Sequence, residues 1–172
     1  MTESESAIRT HKGNGVVKIL FLIYLLFLIW AILWKLGVPY IGDGVLRSIN
    51  LIPFNDHSFP EMRFNVLVFL PLGFYLSALA PRIMVVRNLL ILVTASALLE
   101  LAQYVLAIGY SDITDLMLNT LGGAIGIVLF SIFSRLFGKN MNRAVMAFGI
   151  VITLTVITTA GFFLLFGRIR IH

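Results

Sequence analysis

The chain has no cysteine, which excludes disulfides, thiolate nucleophiles and Cys-ligated zinc or iron–sulfur sites. Charge is scarce as well: 12% of the 172 residues are Asp, Glu, Lys or Arg, about half the share of a soluble domain. Thirteen Lys and Arg against eight Asp and Glu leave a net charge of +5. These basic residues are scattered between apolar runs instead of forming a patch, so the electrostatic footprint of a nucleic-acid binder is missing and no nucleic-acid partner is expected. There is no nucleophile motif, phosphate loop or His-rich set, no internal repeat and no low-complexity tract. No cofactor and no metal are called for, and no catalytic residue is identified.

What the sequence has is hydrocarbon: 59% of its residues are hydrophobic, and the mean hydropathy is +0.99. A helix needs roughly 20 mostly apolar residues to cross a bilayer core of about 30 Å, so this length holds a handful of spans and no separate soluble domain. The apolar segments run from Val16 to Leu36, Val66 to Ala80, Leu89 to Ile108, Leu116 to Phe137 and Ala144 to Phe166. The expected fold is an all-α membrane protein, a bundle of about five transmembrane helices. Residues 1–15 are expected as a disordered cytoplasmic tail, 16–137 as a four-helix core, and 144–166 as an additional C-terminal helix. The first run is too long for a signal-peptide core and is followed by Leu33-Trp34-Lys35-Leu36 where a small-residue cleavage site would stand, so it reads as a retained helix. The second is short and carries Pro71 and Gly73, which interrupt helices and persist at membrane depth where neighbouring protein re-satisfies the backbone.

Orientation follows from Lys and Arg. Eight of them (Arg9, Lys12, Lys18, Arg82, Arg87, Arg135, Lys139 and Arg143) fall on one side of a five-span chain. Five (Lys35, Arg47, Arg63, Arg168 and Arg170) fall on the other. The more basic side, with the N-terminus, is expected to be cytoplasmic. Trp30, Trp34 and Tyr40 at the outer end of the first span read as interfacial anchors.

Polar residues inside apolar helices carry the functional signal. Asn65, Glu100, Gln103, Asp112, Asp115 and Asn119 fall at the same expected end of the bundle. A carboxylate at the centre of a span costs roughly 2.5–3.5 kcal/mol on insertion scales, so Glu100 has to face protein or water, pair with a cation, or stay protonated. Glu100 and Gln103 share one helix face, and Asp112, Asp115 and Asn119 share another, so the two sets can meet across the Gly109 turn. Asp112 also fits an N-cap with Asp115 in the first helical turn, a structural use of both acids. Arg63 either pairs with one of these acids, holds an anionic headgroup, or snorkels at the interface. His57, beside Asp56, is a lone loop histidine with little claim to catalysis. Gly122 and Gly126 form a small-xxx-small face that serves contacts within the bundle or a homo-oligomer.

Four ordered motifs then carry a resemblance. Asn50-Leu51-Ile52-Pro53-Phe54, Asn65-Val66-Leu67-Val68-Phe69-Leu70-Pro71-Leu72-Gly73-Phe74, Leu99-Glu100-Leu101-Ala102-Gln103 and Asp112-Ile113-Thr114-Asp115-Leu116-Met117-Leu118-Asn119-Thr120-Leu121-Gly122 resemble the successive motifs of the VanZ-like family. One departure is the stretch Ile108-Gly109-Tyr110-Ser111, which lacks the Arg the family often places before the first paired aspartate. Arg63 is the candidate substitute. The resemblance implies a multi-pass protein of the bacterial cytoplasmic membrane, with some relatives associated with glycopeptide resistance, especially to teicoplanin, which carries a fatty acyl chain. Membrane lipid, and a lipid-linked or lipopeptide ligand, are the partners this suggests. Three activities stay open on the residues themselves: binding a lipid headgroup or lipopeptide near the outer leaflet, enzymatic action on an isoprenoid or phospholipid headgroup with Asp112 and Asp115 on Mg²⁺, and transport or flipping driven by protonation of Glu100.

Overall fold

A computed structural model describes residues 3–36, 39–42, 48–54, 58–80 and 84–166, with side chains omitted at 3–14, 110 and 163–166. Helix α1 spans Glu3–Trp34, α2 Phe59–Leu79, α3 Val85–Leu106, α4 Ile113–Phe137 and α5 Met141–Phe166. Two three-residue strands, β1 (Ser48–Asn50) and β2 (Tyr110–Asp112), pair in parallel. The protein is an all-α membrane protein.

Four stretches of the described residues are long and apolar enough to cross a membrane: Gly15–Trp34, Phe59–Leu79, Val85–Leu106 and the 50-residue Ile113–Phe162. At 1.5 Å per residue the last would extend about 75 Å, more than twice the hydrocarbon thickness. It is broken where Gly138 takes φ of 42° and a single 3₁₀ turn, Gly138–Asn140, reverses the chain. The reversal is held by rings: Phe148 of α5 lies tilted against Phe74 of α2 with centroids 4.0 Å apart and meets Phe133 of α4 at 5.8 Å. Thus α5 packs back onto the bundle, and the described residues form five α-helices.

Two boundaries differ from the sequence expectation. Helix α1 has helical backbone from Glu3, although its apolar part begins at Gly15. Extending an existing helix adds one hydrogen bond per residue fixed and needs no new nucleus. Helix α2 starts at Phe59 instead of Val66, because Ser58 and Glu61 close a capping box and Pro60 sits in the first turn, where its missing N–H is harmless.

Helix α2 is the centre of the bundle, with 44% of its apolar window buried against 22–33% for the other spans. Its Phe69, Phe74 and Tyr75 are fully enclosed, together with Tyr24 of α1 and Leu92 of α3. The Tyr24 hydroxyl donates to the Val68 carbonyl. Glycine brings α4 against α2: a Cβ at Gly122 would overlap the Val66 carbonyl, one at Gly126 the Leu70 carbonyl, and one at Gly73 the Gly123 carbonyl. The small-residue face of α4 is therefore occupied within the chain.

Candidate functional site

At one end of the bundle α3 finishes in a left-handed turn at Ala107, φ 55°, and the chain doubles back through β2 into α4. This return lays Asp112 beside Glu100. The Glu100 Oε2 accepts the Asp112 backbone N–H at 2.9 Å, and the Glu100 carbonyl accepts Ser111 Oγ at 2.7 Å. A mid-helix carboxylate thus closes the α3–α4 connection.

Asp112 is the N-cap of α4. Its Oδ1 accepts the Thr114 N–H at 2.7 Å, and its Oδ2 accepts Asn50 Nδ2 at 2.7 Å, tying β1 to the helix start. One turn further, Asp115 Oδ1 accepts Asn65 Nδ2 of α2 at 2.6 Å. Asn119, with no exposed surface, donates to Ser96 Oγ of α3 at 3.0 Å. Gln103 donates to the Ile32 carbonyl of α1 at 2.9 Å. The helix periodicity of 3.6 places 96, 100 and 103 on one face of α3 and 112, 115 and 119 on one face of α4, and the two faces are apposed.

Three buried acceptors in this cluster have no hydrogen-bond partner among the described residues: Glu100 Oε1, Gln103 Oε1 and Asn119 Oδ1. The ion pair among the described residues is Lys35 with Glu61 at 3.7 Å, both substantially exposed. Arg63 is exposed, and its guanidinium lies 4.2 Å from the centre of the Phe59 ring, so it joins none of the cluster's acids in an ion pair. An i, i+4 spacing on α2 places that ring beneath the cation. Among the described residues no group of three His, Asp or Glu is placed to hold a metal ion. His57 and Asp56 lie outside the described residues.

The structure therefore brings together Asn65, Glu100, Gln103, Asp112, Asp115 and Asn119. It adds Asn50, Ser96 and Thr114, which sequence reasoning did not single out. Ser96 lies one turn before Glu100 on the same face, and Asn50 heads the first quoted motif, so both were readable as positions, though not as contacts. Chemically, a cluster rich in unpartnered oxygens accepts hydrogen bonds and suits hydroxyl, amide or ammonium donors.

A family model described as VanZ/LLP1 matches residues 21–134. The chain belongs to the VanZ-like family. It is also 32% identical over 144 residues to Protein VanZ of Enterococcus faecium, covering 81% of this chain and 89% of that protein. No solved structure matches. The family match runs from Phe21 in α1 to Ser134 in α4 and so contains every residue of the polar cluster, while α5 lies beyond it.

Proposed function

We propose that this VanZ-like protein resides in the bacterial cytoplasmic membrane with its N-terminus inside. There it binds a lipid headgroup or lipopeptide near the outer leaflet and contributes to teicoplanin resistance. The observation that supports this reading is the set of three buried acceptors without a partner among the described residues, Glu100 Oε1, Gln103 Oε1 and Asn119 Oδ1, at one end of an apolar bundle. Each such group costs about 1–3 kcal/mol when left unpaired, so a ligand bringing donors gains what the empty protein forgoes. Family membership supplies the link to resistance, and the excess of Lys and Arg at the opposite end supports the orientation.

The test is teicoplanin and vancomycin susceptibility of a sensitive bacterium carrying the wild type, Glu100→Gln or Asp115→Asn at matched membrane levels. The wild type is expected to protect selectively against teicoplanin. Glu100→Gln can still accept the Asp112 N–H but turns its second oxygen position into a donor, so protection should be lost. Asp115→Asn should weaken it in a graded way, since one hydrogen bond contributes about 0.5–1.5 kcal/mol, a factor of roughly two to ten. Equal susceptibility with and without the wild-type protein would overturn the resistance reading.

A further inference from the structure

Between α1 and α2, the described stretch Ser48 to Phe54 carries exposed apolar side chains where a water-facing loop would carry polar ones. Ile49 is 59% exposed, Leu51 72%, Ile52 64% and Phe54 56%, and none of the described residues from Ser48 to Phe54 is charged. Their depth is fixed by the hydrogen bonds of β1. Strand β2 returns beside Glu100, six residues before α3 ends at Leu106, which places Asp112 about 9 Å below that end at 1.5 Å per residue. Strand β1 runs parallel to β2 with Asn50 opposite Asp112, so the chain beyond Asn50 continues in the direction of α4, into the bundle's depth. Phe54 then donates its N–H to Thr114 Oγ1, in the first turn of α4, at 2.9 Å. The charged residues Lys35 and Glu61 sit at the neighbouring helix ends, where headgroups are expected.

We propose that Ser48–Phe54 is a re-entrant loop whose tip, Leu51 to Phe54, lies among the acyl chains of the leaflet at this end of the bundle. Non-helical backbone survives at such depth where its polar groups are satisfied by protein. The N–H groups from Ile52 to Phe54 meet that condition: Ile52 donates its N–H to Asn50 Oδ1 at 3.1 Å, Pro53 has no N–H, and Phe54 donates to Thr114 Oγ1. Phe54 takes φ of 60°, a reversal that bulky residues seldom adopt, and the Thr114 bond holds it there. The partner of this surface is outer-half bilayer lipid, because the tip is apolar, uncharged and level with lipid-facing positions of α3 such as Leu101, 55% exposed. The placement stands whatever ligand the polar cluster takes.

The absence of cysteine makes the test clean, since a single introduced thiol is the sole labelling site. The full chain in liposomes would carry an environment-sensitive nitrobenzoxadiazole label at Leu51→Cys or Ile52→Cys. Leu101→Cys serves as lipid reference and Lys139→Cys, in the exposed α4–α5 turn, as aqueous reference. The tip labels are expected to match Leu101→Cys: quenched by lipids with nitroxide-labelled acyl chains, and severalfold less sensitive to iodide than Lys139→Cys. Iodide quenching like that of Lys139→Cys would overturn the proposal. So would a label shielded from both quenchers, which would mean that protein covers the tip.

Discussion

Replacing Gly126 with alanine is expected to destabilise the protein by about 1–3 kcal/mol, the usual cost of forcing an extra methyl into a packed interior. The added Cβ would overlap the Leu70 carbonyl and lie 2.8 Å from the Phe74 backbone nitrogen. Both belong to the hydrogen-bonded backbone of α2, so the helices have to separate, and separation disturbs the Gly122–Val66 and Gly73–Gly123 approaches on the same seam. Helix association in lipid rests on such close packing, because the surrounding hydrocarbon is as apolar as the side chains it would replace. Gly161→Ala supplies the contrast. Among the described residues, nothing beyond its own stretch of helix lies within 4 Å of a Cβ there, and alanine removes the conformational freedom of glycine, worth roughly 0.5–1 kcal/mol in a helix. Thermal unfolding in detergent should therefore move the two midpoints in opposite directions, down for Gly126→Ala and up for Gly161→Ala. Equal shifts would mean that α2 and α4 do not approach through these glycines.

The second large effect is expected at the Asn65–Asp115 bond. Asn65→Leu keeps the size of the side chain but leaves the Asp115 carboxylate without its α2 donor, at a cost of about 1–3 kcal/mol, and more if the carboxylate is charged. Asp115→Leu strands the Asn65 amide in the same way. Replacing both partners with apolar groups of similar shape removes the stranded group along with the bond, so the double variant should lose less stability than the sum of the singles. A double-mutant cycle read by unfolding midpoint checks this. Additive losses would show that Asn65 and Asp115 act independently, contrary to their 2.6 Å separation.

The spans were legible because apolar length is a direct consequence of bilayer thickness. The start of α2 was not, because Glu61, Arg63 and Asn65 interrupt the apolar run, even though Ser58-Phe59-Pro60-Glu61 spells a capping box. Strands of three residues fall below any periodicity signal, and the pairing of β1 with β2 depends on contacts between Asn50 and Asp112, 62 positions apart. Glu100, Gln103, Asp115 and Asn119 stood out because polar groups are costly in lipid. Ser96 and Thr114 did not, since small hydroxyls are common in spanning helices. Of the two uses of Asp112 weighed from sequence, the structure shows the N-cap of α4, in a position beside Glu100. Arg63 could be placed at the interface, but the ring beneath it was visible only in three dimensions.

The most direct measurement is binding of teicoplanin to the purified full-length chain in lipid nanodiscs, compared with vancomycin and with empty nanodiscs. Saturable binding of teicoplanin alone, lost in Glu100→Gln while the unfolding midpoint stays unchanged, is the predicted result. Teicoplanin uptake no greater than that of empty nanodiscs would contradict a lipopeptide site in this polar cluster.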